Sequence, residues 1–241
     1  MIVVALGLMT GGARAGLCAG TGVQPAAQSA AVGSAQAAEP AWQVELERRH
    51  DELVRVNGPG TDAELRTQLL SMGMQDQEAR GMVDGAPMDK SKYTQAVDLN
   101  SVDAALTSQL KDVVAAHGWP TIALVGIKAS NAAMLVLIHT RDHEWQRSLL
   151  GELETLADTG KIDGSALATL IDKELVSEGK LQRYGTQFKE LNGGMAMFGV
   201  EDPAGLDARR ARVGLPPMDA YKGMLEGMYH LKVTDAVVSA K

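Results

Sequence analysis

The chain has 241 residues, 45% of them hydrophobic and 22% charged, with a formal charge of −7 and no basic stripe. Those are globular proportions, and an acidic chain gains nothing from phosphate counterion release, which speaks against nucleic acid as a partner. Aromatics make up only 4% against 12 methionines, favouring an aliphatic, Met-filled helical core over a β-sandwich, and the single cysteine, Cys18, excludes an intramolecular disulfide and a cysteine-based metal site.

In chain order, the first segment looks like a targeting leader. "IVVALGLM" is apolar but too short to span a bilayer, and small-x-small cleavage signals follow at Ala13/Ala15 and Ala35/Ala37. No Lys or Arg precedes the apolar run. Leu17 stands just before Cys18, where lipoprotein signals want a small residue, which argues against lipidation. Residues 1–37 are therefore expected to be a signal peptide and a low-complexity leader, and the protein exported, periplasmic or secreted, with no transmembrane segment.

Residues 38–97 predict an N-terminal helical region. "PAWQVELERRHDELVRV" has helical apolar spacing, "NGPG" breaks it, and Thr61 with Glu64 has the spacing of a capping box before "ELRTQLLSMGM". "DGAPMDKSKYTQ" is rich in turn residues and predicts a surface loop.

Residues 98–241 predict the core helical domain. A helix capped by Ser101 runs to Gly118, "ASNAAMLVLIHT" is apolar nearly all round and predicts a buried helix, and two more helices start at Asp142 and Asp163 and stop at Gly160 and Gly179. "NGG" inside 181–200 predicts a β-hairpin, and a short basic helix, a "GLPP" break and a last helix follow. The fold class expected is mainly α, a compact helical domain with a small hairpin near the C-terminus.

Four stretches in this order, "HGWPT" (117–121), His139 followed by Asp142, "YGTQF" (184–188) and "LDARRARVGLPPMDAY" (206–221), resemble a bacterial domain family of unknown function. The resemblance covers roughly residues 98–221. It implies relatedness and a helical architecture, and no reaction. The chain departs from that pattern ahead of His139, where the family has a more polar segment and a Gln before the histidine.

Several polar residues qualify as site candidates. His117 sits where a helix C-terminus favours a partial positive charge, yet Gly118 and Pro120 also make a rigid corner that would hold His117 and Trp119 at a pocket mouth. His139 ends an apolar helix, and Asp172 beside apolar neighbours has the chemistry to orient a histidine. His143 lies four residues beyond His139, a metal-ligand spacing, but Asp142 should break the helix between them. Tyr184 and Gln187 are neutral hydrogen-bonding groups near a glycine, and Arg209 and Arg210 could grip a carboxylate or phosphate. The paired methionines around Met72 and Met195 echo copper-binding thioethers but are accounted for as core filling. No phosphate loop, nucleophile elbow or HExxH motif is present.

Two functions stay open at this point. One is a non-enzymatic exported module binding a small polar ligand or a protein partner. The other is a metal-independent hydrolase or lyase without a cofactor. It would use His117 as general acid or base, His139 with Asp172 as a supporting pair, and Trp119, Tyr184, Gln187 and Arg210 to hold substrate.

Overall fold

The computed structural model describes residues 2–3, 39–83, 86–87 and 98–240. The expected leader and most of the turn-rich stretch 84–97 lie outside the described residues. The two short pieces 2–3 and 86–87 are strands, β1 (Ile2–Val3) and β3 (Ala86–Pro87), the latter paired with β2 (Met82–Val83).

The fold is mainly α. Its centre is α5 (Ile127–His139), apolar nearly all round from Ala132 to Ile138, with Ala133, Leu137 and Ile138 excluded from solvent. A stretch so apolar has little face to offer water and must be wrapped. Helices α2 (Ala63–Ala79), α3 (Leu99–His117), α4 (Ile122–Val125) and α7 (Gly164–Ser177) pack around it, and α6 (His143–Asp158) packs on α7. Leu65, Leu69 and Met72 of α2 share one core with Leu106, Leu110 and Val113 of α3 and Leu167 and Leu170 of α7.

The closest approach is between α2 and α5. A methyl group placed on Gly73 would lie 2.8 Å from the Cβ of Ala132, so the two helices meet at a contact made of small residues. Ahead of α2, α1 (Ala41–Asn57) buries none of its residues fully. The link between them is pinned by Thr61 and Asp62 N–H groups, both donating to the Leu124 carbonyl at 2.9 Å. Gly60, at φ +90°, has no alternative there: a Cβ would fall 2.4 Å from the backbone nitrogen of Gly126.

Aspartates cap α2, α3, α6 and α7. Asp142 and Asp163 accept from the Trp145 and Ser165 N–H groups as the sequence suggested. Two caps differ from expectation. Asp62, not Thr61, accepts from Leu65 N, and Asp98, not Ser101, starts α3 by accepting from Asn100 N and the Ser101 hydroxyl. In each case a carboxylate reaches the free amides of the first turn and outcompetes a neighbouring hydroxyl.

The hairpin is present as β4 (Gln187–Leu191) and β5 (Gly194–Phe198), joined by Asn192 and Gly193, both at positive φ, as a two-residue turn requires. The sheet is larger than expected. After α8 (Leu206–Arg212) and α9 (Met218–Tyr229), β6 (Val233–Val238) returns parallel to β5, and β1 pairs with the outer side of β4. A second core of Phe188, Met195, Leu206, Met218, Tyr221 and Leu225 fills the space between sheet and helices.

Candidate functional site

Polar groups gather where α5 ends. His139, its last residue, points Nδ1 at both oxygens of Asp76 on α2, at 2.8 and 3.0 Å. Asp76 is 1% exposed and also pairs with Arg80 at 2.9 Å, and Arg80 bridges on to Asp103 of α3 at 2.6 Å. A carboxylate held by a guanidinium is an acceptor, so His139 carries a proton on Nδ1. No described residue hydrogen-bonds Nε2, and the ring is 10% exposed.

The same helix end needs acceptors satisfied, because its last carbonyls have no partner within the helix. Lys173 Nζ donates to the Ile138 carbonyl, and Gln146 Nε2 donates to the Leu137 carbonyl. Burial holds the Lys173 ammonium below its ordinary range. Glu174 and Asp103 pull it back up, and Arg80 pushes it further down. The result is a buried amine, an oriented imidazole and a carboxylate–guanidinium pair within one cluster.

Helix α7 supplies three consecutive charges, each sent elsewhere. Lys173 reaches α5. Glu174 accepts from Arg147 at 3.3 Å and meets His143 Nδ1 at 3.2 Å. Asp172, fully buried, turns to the loop ahead of β4. Its oxygens accept from the N–H groups of Arg183 (2.6 Å), Tyr184 (3.0 Å) and Thr186 (2.9 Å) and from the Thr186 hydroxyl (2.9 Å). Burial pushes its carboxyl above the usual range and the four donors pull it part of the way back.

The carbonyls of that loop go to the basic helix α8. Arg209 Nε donates to the Arg183 carbonyl at 3.0 Å, and Arg210 donates Nη1 to the Tyr184 carbonyl at 2.6 Å and Nε to the Pro216 carbonyl at 2.7 Å. Arg210 is fully buried, its guanidinium 4.6 Å from the Tyr221 ring centre. Between them, Asp172 and the two arginines satisfy both sides of one backbone loop.

The sequence-selected residues therefore fall in four places. His139 is in the α5 cluster, but the carboxylate beside it is Asp76, supplied by α2, and Asp172 belongs to the loop. His117 is exposed, and Gly118 N–H returns to the Val114 carbonyl to close α3. Thr107 of α3 touches Thr140, next to His139, and His117 lies about 15 Å further along the helix. Trp119 is in the main core, its indole N–H without a partner among the described residues. Tyr184, Gln187 and Arg210 build the loop and its support. Arg209 and Arg210 grip backbone carbonyls in place of a ligand's anion.

Asp76, Arg80, Asp103 and Lys173 were not selected from sequence. A signal for Asp76 is there: Leu65, Leu69, Met72 and Asp76 form one helical stripe, which places a carboxylate on the core face. His143 faces Glu174 and not His139, and among the described residues no three His, Cys, Asp or Glu side chains come together as metal ligands.

No helix among the described residues is long and apolar enough to cross a membrane. No curated protein and no solved structure matches the chain. One family model does match, over residues 63–234, and its description is a family of unknown function, DUF6624. That span takes in the α5 cluster, the Asp172 loop and all of α8 and α9, and the chain belongs to that family.

Proposed function

We propose that this domain takes a small polar ligand at the polar end of α5, and that His139 does acid–base chemistry on it without a metal. The observation that carries the reading is the Asp76–His139 pair. A carboxylate on Nδ1 fixes the tautomer and leaves Nε2 as a base, the arrangement used by hydrolases and lyases. Lys173, held below its ordinary range by burial, is a second group able to exchange a proton, and Arg80, paired with Asp76 and Asp103, holds the carboxylate that orients the ring. In this reading Asp172, Tyr184, Gln187 and Arg210 hold the fold around α7, and His117 ends its helix.

The second reading, a binding module without catalysis, uses the same cluster, and its support is that Lys173 and Gln146 there donate to backbone carbonyls at the end of α5, as structural residues do. Export is part of the proposal too, on the strength of the apolar run and the small-x-small signals in residues 1–37.

The test is a thermal-shift screen against sugars, short peptides and small carboxylates on wild type, His139→Gln and His117→Ala. A ligand that raises the melting point of wild type and His117→Ala but not of His139→Gln supports the site. Turnover of that ligand, lost in His139→Gln, selects the enzyme over the binding module. If His139→Gln responds like wild type to every ligand, the reading is wrong.

A further inference from the structure

Helix α1 lies ahead of the residues that the family model matches, and it forms one wall of a cleft of about 300 Å³. Its inward face carries Trp42, Leu46, Arg49, His50 and Leu53, and the opposite wall includes Pro216 and Met224. These are helical neighbours at spacings of three, four and seven, so the face was built to meet something. Yet not one residue of α1 is fully buried. A Trp and two Leu on an inner face that leaves them half-exposed describe a groove with room in it, at the small end of ligand-pocket volumes and with the mainly apolar lining such pockets have.

The arginines of α1 are not all paired. Arg48 and Arg55 on the outer side of α1 are paired with Glu45 and Glu52. Arg49, which faces in, has no hydrogen bond or ion pair to a described residue. It is held by packing over Gly214, whose missing side chain leaves the space: a Cβ there would sit 3.3 Å from both Cδ and Nε of Arg49. His50 beside it is likewise half-buried and without a described partner. Two carboxylates line the cleft. Glu47 is exposed at the rim. Asp163 is committed, with Oδ1 accepting from the Ser165 amide and hydroxyl at 2.9 and 2.7 Å and Oδ2 accepting from Asn131 at 3.2 Å. What remains is an apolar slot with a guanidinium that makes no direct ion pair with a described residue, an imidazole at its side, and the carboxylates Glu47 and Asp163 elsewhere in its lining.

We infer that the cleft between α1 and the body of the domain is a binding site for a small amphipathic monocarboxylate. Its hydrocarbon part lies between Trp42, Leu46 and Met224, and its carboxylate is taken by Arg49 with His50 alongside. The guanidinium matches a carboxylate in charge and fork geometry. This site uses α1 and owes nothing to His139, so it stands or falls separately from the proposed chemistry at α5.

The test is calorimetric titration of the full chain with octanoate, with octanol (the same tail without the charge) and with acetate (the charge without the tail). Octanoate is expected to bind saturably at one site, and the other two about tenfold or more weaker. Arg49→Gln is expected to weaken octanoate about tenfold and to leave octanol unchanged. In Trp42→Phe the calorimetric binding persists while the change in tryptophan emission disappears. Circular dichroism of both variants establishes that they are folded, and His139→Gln binds octanoate as wild type does. Equal affinity of octanoate for wild type and Arg49→Gln overturns the site, as does octanol binding as tightly as octanoate, or a titration that never saturates.

Discussion

Asp76 and His139 are 63 residues apart in the chain and share a bidentate contact, both carboxylate oxygens lying within 3.0 Å of one ring nitrogen. The contact fixes where the imidazole proton resides. Long-range proton–nitrogen NMR spectra should show His139 protonated on Nδ1, and Asp76→Asn should abolish that preference. Asp76→Ala leaves Arg80 with Asp103 alone and His139 without its carboxylate, and should cost about 3 kcal/mol in urea denaturation. Retention of the tautomer in Asp76→Asn would show that Asp76 does not orient the ring.

Asp172 should be the most costly polar residue to remove. Its replacement by Ala strands the amides of Arg183, Tyr184 and Thr186 in a buried place, a loss of about 3 kcal/mol or more. The pH dependence has a definite sign. Because burial raises its folded-state value above the ordinary 3.8, the folded chain holds this proton longer than the unfolded one. The stability Asp172 contributes is full below 3.8 and declines as pH rises through the folded value. Denaturation of wild type against Asp172→Asn between pH 3 and 6 should show the difference shrinking as pH rises, and a difference that grows would contradict it.

Tyr221 gives the matching expectation in alkali. Burial pushes its phenol well above the ordinary 10, with Tyr229 shifted in the same direction by the same cause. Above pH 10 the unfolded chain ionises and the folded chain resists, so stability falls as pH rises. Tyr221→Phe should flatten that fall, as read by melting temperature between pH 9 and 11. An unchanged slope would assign the loss to other groups.

Gly73→Ala separates helix propensity from packing. In an isolated helix the change is worth up to about 1 kcal/mol in favour of Ala. Here the new methyl would meet Ala132 at 2.8 Å, and overpacking of this kind costs about 1–3 kcal/mol. The variant is expected to be less stable than wild type by chemical denaturation. A second consequence should follow, since Gly73 lies one turn from Asp76: parting α2 from α5 there lengthens the Asp76–His139 contact and weakens the tautomer preference.

Much of the helical frame was legible because its signals are local. Asp142, Asp163, Gly160 and Gly179 mark helix ends by their own chemistry, and an all-apolar stretch such as 132–138 has no fate but burial. Asn192–Gly193 likewise announced the hairpin. The strand β6 was not announced, since a six-residue stretch with one Asp and one Thr becomes a strand only where β5 offers an edge. The site was harder still. His139 could be singled out by its setting, but its partner is fixed by the α2–α5 crossing, which no spacing in the sequence encodes. Arg209 and Arg210 carry the chemistry to bind an anion, and only the fold reveals that backbone carbonyls already occupy them.

The parallel pairing of β6 with β5 has a consequence for synthesis. Met195 must wait for Val233, so the edge of β5 stays open while α8 and α9 emerge and pack. A chain halted or clipped before Val233 would present the apolar backbone of 195–198 to its neighbours, and an uncovered edge of that kind templates intermolecular strand pairing. Strand β6, none of whose residues is fully buried, therefore serves more as a cover for the β5 edge than as a part of the core, and proteolytic loss at the C-terminal end should show itself as aggregation before it shows as loss of helix.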